Sequence, residues 1–179
     1  MICYKAFKPD YTCRGYQFDK DGINITEAAN CVCNGFHCAE NPMDCLSYYP
    51  DFKNSIYCLV EADGDIHEDG SDSKISCTVL RILKELTSEE YMWMCLAYMM
   101  KYPQRPIHHA VSYDTGGAGG RGYAVVIGEA PTAKGKLGDV LAFGVRSKDG
   151  RVVDGNVIVI DGGNYKPDIL YNVDGEAVS

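Results

Sequence analysis

The sequence predicts an α+β fold: a small antiparallel sheet with a short and a long helix, followed by a β-rich, glycine-punctuated C-terminal region. The observation behind the first part is a strongly apolar helical segment, residues 88–101, that follows two segments rich in β-branched and aromatic residues. The composition also changes along the chain, because all 9 cysteines lie in the first 95 residues while most of the 19 glycines follow residue 110. We therefore expect an N-terminal domain over residues 1–102, a proline-containing linker over 103–112 and a C-terminal region over 113–179.

In the N-terminal part, a strand is predicted over residues 2–7. Asn41-Pro42 then begins a short helix, because asparagine caps a helix N-terminus and proline suits the first turn. The clearest strands are residues 55–62 and 76–83, which are rich in β-branched and aromatic side chains. The polar, acidic segment 63–73 between them is expected to be a loop.

The long helix is predicted from Ser88 to Lys101. The preceding Thr87 and the glutamate at position 90 fit the capping box that begins many helices. Since the segment is apolar nearly all round, we expect it to be buried against the N-terminal strands. After residue 110, strand-like segments alternate with turns such as Asp149-Gly150, which is typical of a hairpin.

The overall charge limits the classes of function. The formal net charge is −8, with 17 Lys+Arg against 25 Asp+Glu, which argues against broad, non-specific binding to nucleic acid. No apolar run approaches the ~18 residues of a membrane-spanning helix. The first residues lack the features of a secretory signal, and the number of cysteines is odd. We expect a cytoplasmic protein whose cysteines are free and mostly serve as small core residues.

One cluster has metal-ligand chemistry, formed by Cys31, Cys33, His37, Cys38 and Cys45. Its spacing lacks the paired C-x2-C elements of closed zinc sites, so we expect packing in the core or a loop and no bound metal. A cysteine–histidine nucleophile pair is also disfavoured, because adjacent side chains on a strand point to opposite faces. The sequence predicts no cofactor.

The segment Gly117–Gly122 matches the G-x-G-x-x-G pattern of dinucleotide-binding loops. That pattern requires a following helix, whereas the next residues, 123–127, are strand-like. We therefore expect a tight or flexible turn, with Arg121 available to contact a partner or a phosphate.

Six acidic residues fall within twelve positions, from residue 61 to residue 72, with no intervening Lys or Arg. The calcium-binding loop of an EF-hand is excluded, because Glu68 takes the position that requires glycine. A solvated loop is one interpretation, and an electronegative surface that docks on a basic groove is the other. The residues predicted to bind a partner are Asp63, Asp65, Glu68, Asp69, Asp72 and Arg121.

Four motifs, together with segments 74–87, 133–138 and 166–171, resemble an uncharacterised family of accessory proteins from phages and prophages of gut bacteria. The motifs are Tyr4-Lys-Ala-Phe7, Cys13-Arg-Gly-Tyr-Gln-Phe18, Cys33-Asn-Gly-Phe-His37 and Asn41-Pro-Met-Asp-Cys-Leu-Ser-Tyr-Tyr49. The resemblance implies a phage-associated protein in the cytoplasm of the bacterial host. Residues 112–138 depart from the pattern, because relatives carry longer strings of short repeats there.

Three functions remain open. The preferred one is a phage counter-defence protein, not an enzyme, that inhibits a host immune nuclease of the CRISPR-Cas type by protein contact. Its expected partner is a protein with a basic channel, with only weak contact to nucleic acid and none to a membrane. A looser similarity to ADP-ribosyltransferase-like scaffolds implies a nucleotide- or nucleic-acid-modifying enzyme that uses Arg14, His37 and Glu61. The third is a structural or virion-associated module that assembles through its glycine-rich region.

Overall fold

The computed structural model describes residues 1–31, 33–68, 70 and 72–178. In this part of the chain the fold is mainly β, with 47% of residues in strands and 12% in helices, arranged in three sheets. The prediction of an α+β fold is therefore wrong. The reason is that the N-terminal part contains only a one-turn helix, while the long helix packs on the C-terminal sheet.

The chain divides into two compact units. The first unit comprises residues 1–50 and 54–87, and the second comprises 51–53 and 88–179. This division counts the long helix with the C-terminal part, and the proline segment at 103–112 lies within the second unit.

The first unit is built almost entirely from antiparallel strands. Its elements are β1 (Ile2–Phe7), β2 (Thr12–Cys13), β3 (Tyr16–Gln17), β4 (Ile23–Ile25), β5 (Phe36–Ala39), α1 (Pro42–Cys45), β6 (Ile56–Glu68) and β7 (Lys74–Leu86). The short helix α1 begins as predicted, because the Asn41 side chain accepts a hydrogen bond from the backbone of Met43.

Four of these strands close on themselves. β1 pairs with β6, β6 with β7, β7 with β5, and β5 again with β1, so the sheet forms a small barrel. The short strand β4 pairs with β7 and adds to the same sheet. The pairing of β1 with β5 is the shortest in the barrel, since a single register pair, Tyr4↔Ala39, joins the two strands. The barrel therefore has a seam between β1 and β5.

The narrow interior of the barrel explains the cysteine content. Eight strands already leave an interior only wide enough for side chains, so four strands require small apolar residues inside. Four cysteines meet this requirement and belong to the buried core together with larger residues from the same strands: Cys3, Cys38, Cys58 and Cys77. All nine cysteines are free and six are buried, which confirms the prediction that most of them are core residues.

The strands β6 and β7 are longer than predicted. Residues 63–68, expected to be a loop, continue β6 and pair with β7, so that part of the loop prediction is wrong. The ladder shifts register between Asp63 and Ile66, where Gly64 has a φ of +75°. This bulge lets an exposed and mostly polar segment continue the strand, which is why hydrophobic alternation did not reveal it.

The second unit contains a helix and a mixed sheet. Its elements are α2 (Ser88–Lys101), β8 (Val111–Gly117), β9 (Tyr123–Lys134), β10 (Val140–Arg146), β11 (Val152–Val159) and β12 (Tyr171–Asn172). The strands β8, β9 and β10 run parallel with short connections, so that Val111, Val125 and Ala142 lie side by side. Such parallel stacking is typical of a short solenoid.

The helix α2 has the predicted bounds, but its main contacts are with β10 and β11 and not with the N-terminal strands. Leu96 lies against Gly144 and Gly155, which are register partners on β10 and β11. A Cβ at position 155 would lie 3.1 Å from a methyl carbon of Leu96, so glycine permits this close approach. In the described residues, helices fall short of the length and apolar content that membrane crossing requires.

Candidate functional site

A cavity of about 240 Å³ opens in the first unit, on the seam between β1 and β5. Its wall is formed by these two strands, the β2–β3 turn, the α1 segment and the start of β7. The lining residues are Lys5, Ala6, Cys13, Arg14, His37, Cys38, Ala39, Asp44, Cys45, Tyr48, Tyr49 and Lys74. The mouths of barrels are frequent ligand sites, and this cavity is enriched in cations.

Lys5 projects from β1 into the barrel between the core residues Cys3 and Phe7, and the residue is only 4% exposed. Its ammonium donates a hydrogen bond of 2.7 Å to the carbonyl oxygen of His37 on β5. The Lys5 side chain thereby bridges the two strands where their backbone pairing has ended. The same ammonium lies 5.1 Å and 5.2 Å from the ring centres of Phe18 and Phe7.

Among the described residues, no carboxylate pairs with the buried ammonium of Lys5. The ion pairs between described residues all involve other cations. A buried lysine is rare unless it is paired, because removing an ammonium from water is costly. The hydrogen bond to a neutral carbonyl and the two rings compensate only part of this cost. An anion in the cavity would supply the missing charge.

Arg14 lies at the tip of the β2–β3 hairpin, on the rim of the cavity. The pairing of Cys13 with Tyr16 leaves Arg14 and Gly15 as a two-residue turn, with φ values of 50° and 83°. Both positive values fit a type I′ turn, which favours Asn-Gly over Arg-Gly. The guanidinium is exposed and makes no hydrogen bond or ion pair to the described residues. Arginine therefore occupies a strained position without a structural partner, a pattern that points to a binding role.

Lys74 contributes a third cation at the opposite rim. Its ammonium donates a hydrogen bond of 2.8 Å to the Tyr48 hydroxyl and lies 3.8 Å from Asp72. Among the described lining residues, Asp44 is the only carboxylate, and it accepts hydrogen bonds from the backbone and hydroxyl of Ser73 and from the Asn41 amide. These bonds hold α1 against the start of β7. The three cations outnumber the negative charges of Asp44 and of Asp72 beside Lys74, so the cavity keeps an excess of positive charge.

The pKa of His37 is affected both by burial and by this positive charge. Burial, followed by the charges of Lys5, Arg14 and Lys74, lowers the pKa of His37 from 6.5 to about 4. The imidazole is therefore neutral at pH 7. All three cations disfavour a positive charge on this half-buried ring, so the electrostatic potential at the ring is positive. A bound anion would oppose these fields and raise the pKa of His37 again.

Cys13 lies half-buried beside these groups. Its sulfur accepts a hydrogen bond of 3.2 Å from the Tyr49 hydroxyl and one of 3.6 Å from the Lys5 ammonium. Burial and the bond to Cys13 raise the pKa of Tyr49, so its hydroxyl stays protonated and donates. The cavity therefore combines a thiol with two donors directed at its sulfur.

The structure separates the residues that the sequence singled out for catalysis. Arg14 and His37 both line the cavity. Glu61 lies on β6, where its carboxylate pairs with Arg81 at 2.9 Å, and it takes no part in the cavity lining. An arrangement of all three around one ligand is thus not formed.

The residues predicted to bind a partner lie elsewhere. The C-terminal half of β6 exposes Asp63, Asp65 and Glu68, and Asp72 follows in the connection to β7. Asp69 lies outside the described residues. Arg121 belongs to the second unit, in the turn between β8 and β9, and a strand follows this glycine-rich turn.

Of the five cysteine and histidine residues singled out for their metal-ligand chemistry, His37, Cys38 and Cys45 line the cavity, and Cys31 and Cys33 lie outside its lining. Cys38 and Cys45 are buried, while Cys33 is exposed and Cys31 is half-buried, with its thiol 3.6 Å from the carbonyl oxygen of Lys74. In the part of the chain that the structure describes, no three His, Cys, Asp or Glu side chains are placed to hold a metal ion.

Sequence reasoning missed Lys5, Lys74, Tyr48 and Tyr49 as members of a site. A signal for Lys5 was available, because a lysine between Cys3 and Phe7 interrupts the inward-facing positions of an otherwise apolar strand. The sequence contains no comparable signal for Lys74 and the two tyrosines, since their position around the cavity depends on how the barrel closes.

We predict that Arg14→Asn raises the free energy of unfolding by about 1 kcal/mol, because asparagine adopts a positive φ more readily than arginine. Urea denaturation followed by circular dichroism measures the change. The matched control is Lys20→Asn, which removes another exposed cation of the same unit and should stay within about 0.5 kcal/mol of the parent. Destabilisation by Arg14→Asn would instead assign the guanidinium a structural role.

Comparisons with known proteins place the first unit in a family. Residues 1–94, just over half of the chain, match the model of a domain of unknown function, DUF7666. The matched range covers the whole first unit and every residue of the cavity lining. Searches of curated proteins and of solved structures found no match. The chain therefore belongs to the DUF7666 family.

Proposed function

We propose that the first unit binds a small phosphate-bearing ligand in the cavity between β1 and β5. The observation that carries this proposal is the buried ammonium of Lys5, which faces a cavity without a carboxylate partner. In a chain of net charge −8, three cations and one structurally occupied carboxylate line this cavity. An acidic protein that concentrates cations at one concave site is suited to bind an anion there.

The kind of anion follows from charge and geometry. Lys5 and Arg14 have no carboxylate partner among the described residues, and Lys74 is offset by Asp72, so the positive charge is spread over several donors and suits a phosphate group with several anionic oxygens. Arg14 offers a planar fork that matches two phosphate oxygens, while Lys5 and Lys74 act as point charges. Because the cavity, at about 240 Å³, is smaller than the ~300–1,000 Å³ of most ligand pockets, it suits a phosphate with only a short attached group.

The proposal concerns binding and assigns no reaction. Arg14 and His37, which the sequence offered for an enzyme, lie in the cavity, but Glu61 is held by Arg81 on another strand. The neutral imidazole of His37 can still accept or donate a hydrogen bond to the ligand.

We predict that inorganic phosphate raises the pKa of His37 above its value of about 4, because a bound anion offsets the cations that lower it. Histidine titration by NMR measures this pKa with phosphate and with chloride at equal ionic strength. The signal of His67, which is exposed on β6 outside the cavity lining, serves as the internal reference for effects of the salt itself.

The variant Arg14→Asn should weaken phosphate binding about tenfold, equivalent to about 1.4 kcal/mol, while the control Lys20→Asn leaves it unchanged. Affinity comes from the dependence of the His37 signal on phosphate concentration. If the pKa of His37 stays near 4 at the highest phosphate concentration, or if both variants behave alike, the cavity is not an anion site.

A second candidate function retains the sequence-based hypothesis of a phage counter-defence protein in the bacterial cytoplasm, acting on a nuclease by protein contact. It is favoured by one observation: Asp63, Asp65 and Glu68 are all exposed on the C-terminal half of β6, which is held by pairing with β7. Carboxylates displayed on a paired strand suit contact with a basic nucleic-acid channel.

For this candidate we predict that changing Asp63 and Asp65 to Asn and Glu68 to Gln together slows association with an RNA-guided nuclease. The salt dependence of the rate should also flatten, because fewer charges steer the encounter. Surface plasmon resonance across a salt series measures both effects. A variant with neutral residues at the exposed Asp21, Glu27 and Glu129 removes the same number of charges and controls for overall charge. Unchanged rates at every salt concentration would exclude these three carboxylates of β6 as the contact.

A further inference from the structure

We propose that Cys13 is a reactive thiol that forms mixed disulfides preferentially with small, negatively charged disulfides entering the cavity. The preference for negative charge rests on the proposed function, because it uses the same cations. The reactivity of the sulfur rests on contacts of its own. The two parts can therefore be tested separately.

The first argument is the hydrogen bonding of the sulfur. Both described contacts of Cys13 Sγ are to donors, the Tyr49 hydroxyl at 3.2 Å and the Lys5 ammonium at 3.6 Å. An ammonium and a hydroxyl directed at one sulfur stabilise negative charge on it. Since a thiolate and not a thiol is the nucleophile in disulfide exchange, this arrangement favours reaction at Cys13.

The second argument is access. Cys13 is half-buried and lines the cavity, so an incoming molecule can reach its sulfur. The other cysteines of the lining are less suited, because Cys38 and Cys45 are buried and the thiol of Cys45 lies 3.5 Å from the carbonyl oxygen of Tyr4. Hydrogen bonds to the neighbouring thiols of Cys3 and Cys77, followed by burial, raise the pKa of Cys38. Cys33 is exposed but lies outside the lining, so it is the natural reference for an ordinary thiol.

The third argument concerns the charge of the reagent. Arg14 follows Cys13 directly in the chain and lies on the rim of the same cavity. Lys74 lies in the same lining, and Lys5 already touches the sulfur. A carboxylate or another anionic group on the disulfide would be attracted to these cations as the sulfurs approach. The chemical class that fits is a low-molecular-weight disulfide carrying at least one negative charge.

The reaction is a thiol–disulfide exchange. The Cys13 thiol first releases its proton to solvent, and its sulfur then attacks one sulfur of the reagent. A new S–S bond forms, the reagent's own S–S bond breaks, and the second half leaves as a thiolate with the electron pair. The reagent is itself the oxidant, and an added thiol reverses the modification.

The experiment compares two aromatic disulfides on the native full-length chain. Dithiobis(nitrobenzoate) carries two carboxylates, and dithiodipyridine is neutral. Site-resolved mass spectrometry follows the modification of Cys13 and Cys33 over time. Dividing the rate at Cys13 by the rate at Cys33 removes the different intrinsic reactivities of the reagents. We expect this ratio to exceed one with both reagents and to be about tenfold higher with the anionic one.

Matched variants separate the two parts of the proposal. Tyr49→Phe keeps the ring but removes a donor to the sulfur, so it should lower the rate at Cys13 with both reagents. Tyr11→Phe removes the hydroxyl of another tyrosine of the same unit, which lies outside the lining and donates to Glu85, and should leave that rate unchanged. Arg14→Asn should reduce only the preference for the anionic reagent. Circular dichroism shows that each variant is folded.

Two results would overturn the proposal. If Cys13 reacts no faster than Cys33 with either reagent, the thiol is not activated, while phosphate binding measured through His37 would still support the proposed function. If Cys13 reacts rapidly but equally with both reagents, the anionic class is wrong. In that case the absence of phosphate binding would show that the proposed function fails as well.

Discussion

The ammonium of Lys5 bonds the carbonyl oxygen of His37 across the seam where β1 and β5 separate, and the rest of the cavity is arranged around this contact. Were the backbone pairing to continue, the two strands would close over the space that the cavity now occupies. The side chain of Lys5 replaces part of the missing ladder and places a positive charge at the base of the opening. The same ammonium reaches the sulfur of Cys13 and contributes to the low pKa of His37.

The closure of four strands sets the dimensions of the first unit. A barrel of this size has room for few large side chains, and cysteines take many of the inward positions. A long, flexible lysine stem fits the same narrow interior, whereas its charged end requires either a partner or an opening. The barrel provides an opening at the seam, and the β2–β3 hairpin places Arg14 and Cys13 beside it.

Local features of the fold were predictable because they depend on neighbouring residues. The cap at Asn41 and the bounds of α2 follow from capping preferences and from the apolar character of residues 88–101, and both match the structure. The fold class was not predictable in this way. A segment that is apolar nearly all round is expected to be buried, but this does not show which sheet buries it, and Leu96 lies against two glycines that are 11 residues apart in the chain.

Only part of the candidate site could be predicted from the sequence. Arg14 and His37 were singled out through the similarity to ADP-ribosyltransferase-like scaffolds, but that similarity grouped them with Glu61, which lies elsewhere. Lys74 joins the site through pairing of β5 with β7, from a position 37 residues after His37 in the sequence. The register of long-range strand pairs determines such contacts, and single-sequence patterns do not carry it.

The central claim is that Lys5 is kept in the core to bind an anion, and the most direct test measures the unfolding temperature of the parent protein and of Lys5→Met with and without inorganic phosphate. Methionine fills a similar volume without a buried charge, and water in the cavity can bond the exposed carbonyl of His37. The account predicts that phosphate raises the unfolding temperature of the parent, as any ligand of the native state does, and that Lys5→Met is as stable as the parent but gains nothing from phosphate. A variant that unfolds at a clearly lower temperature and is still stabilised by phosphate would contradict it.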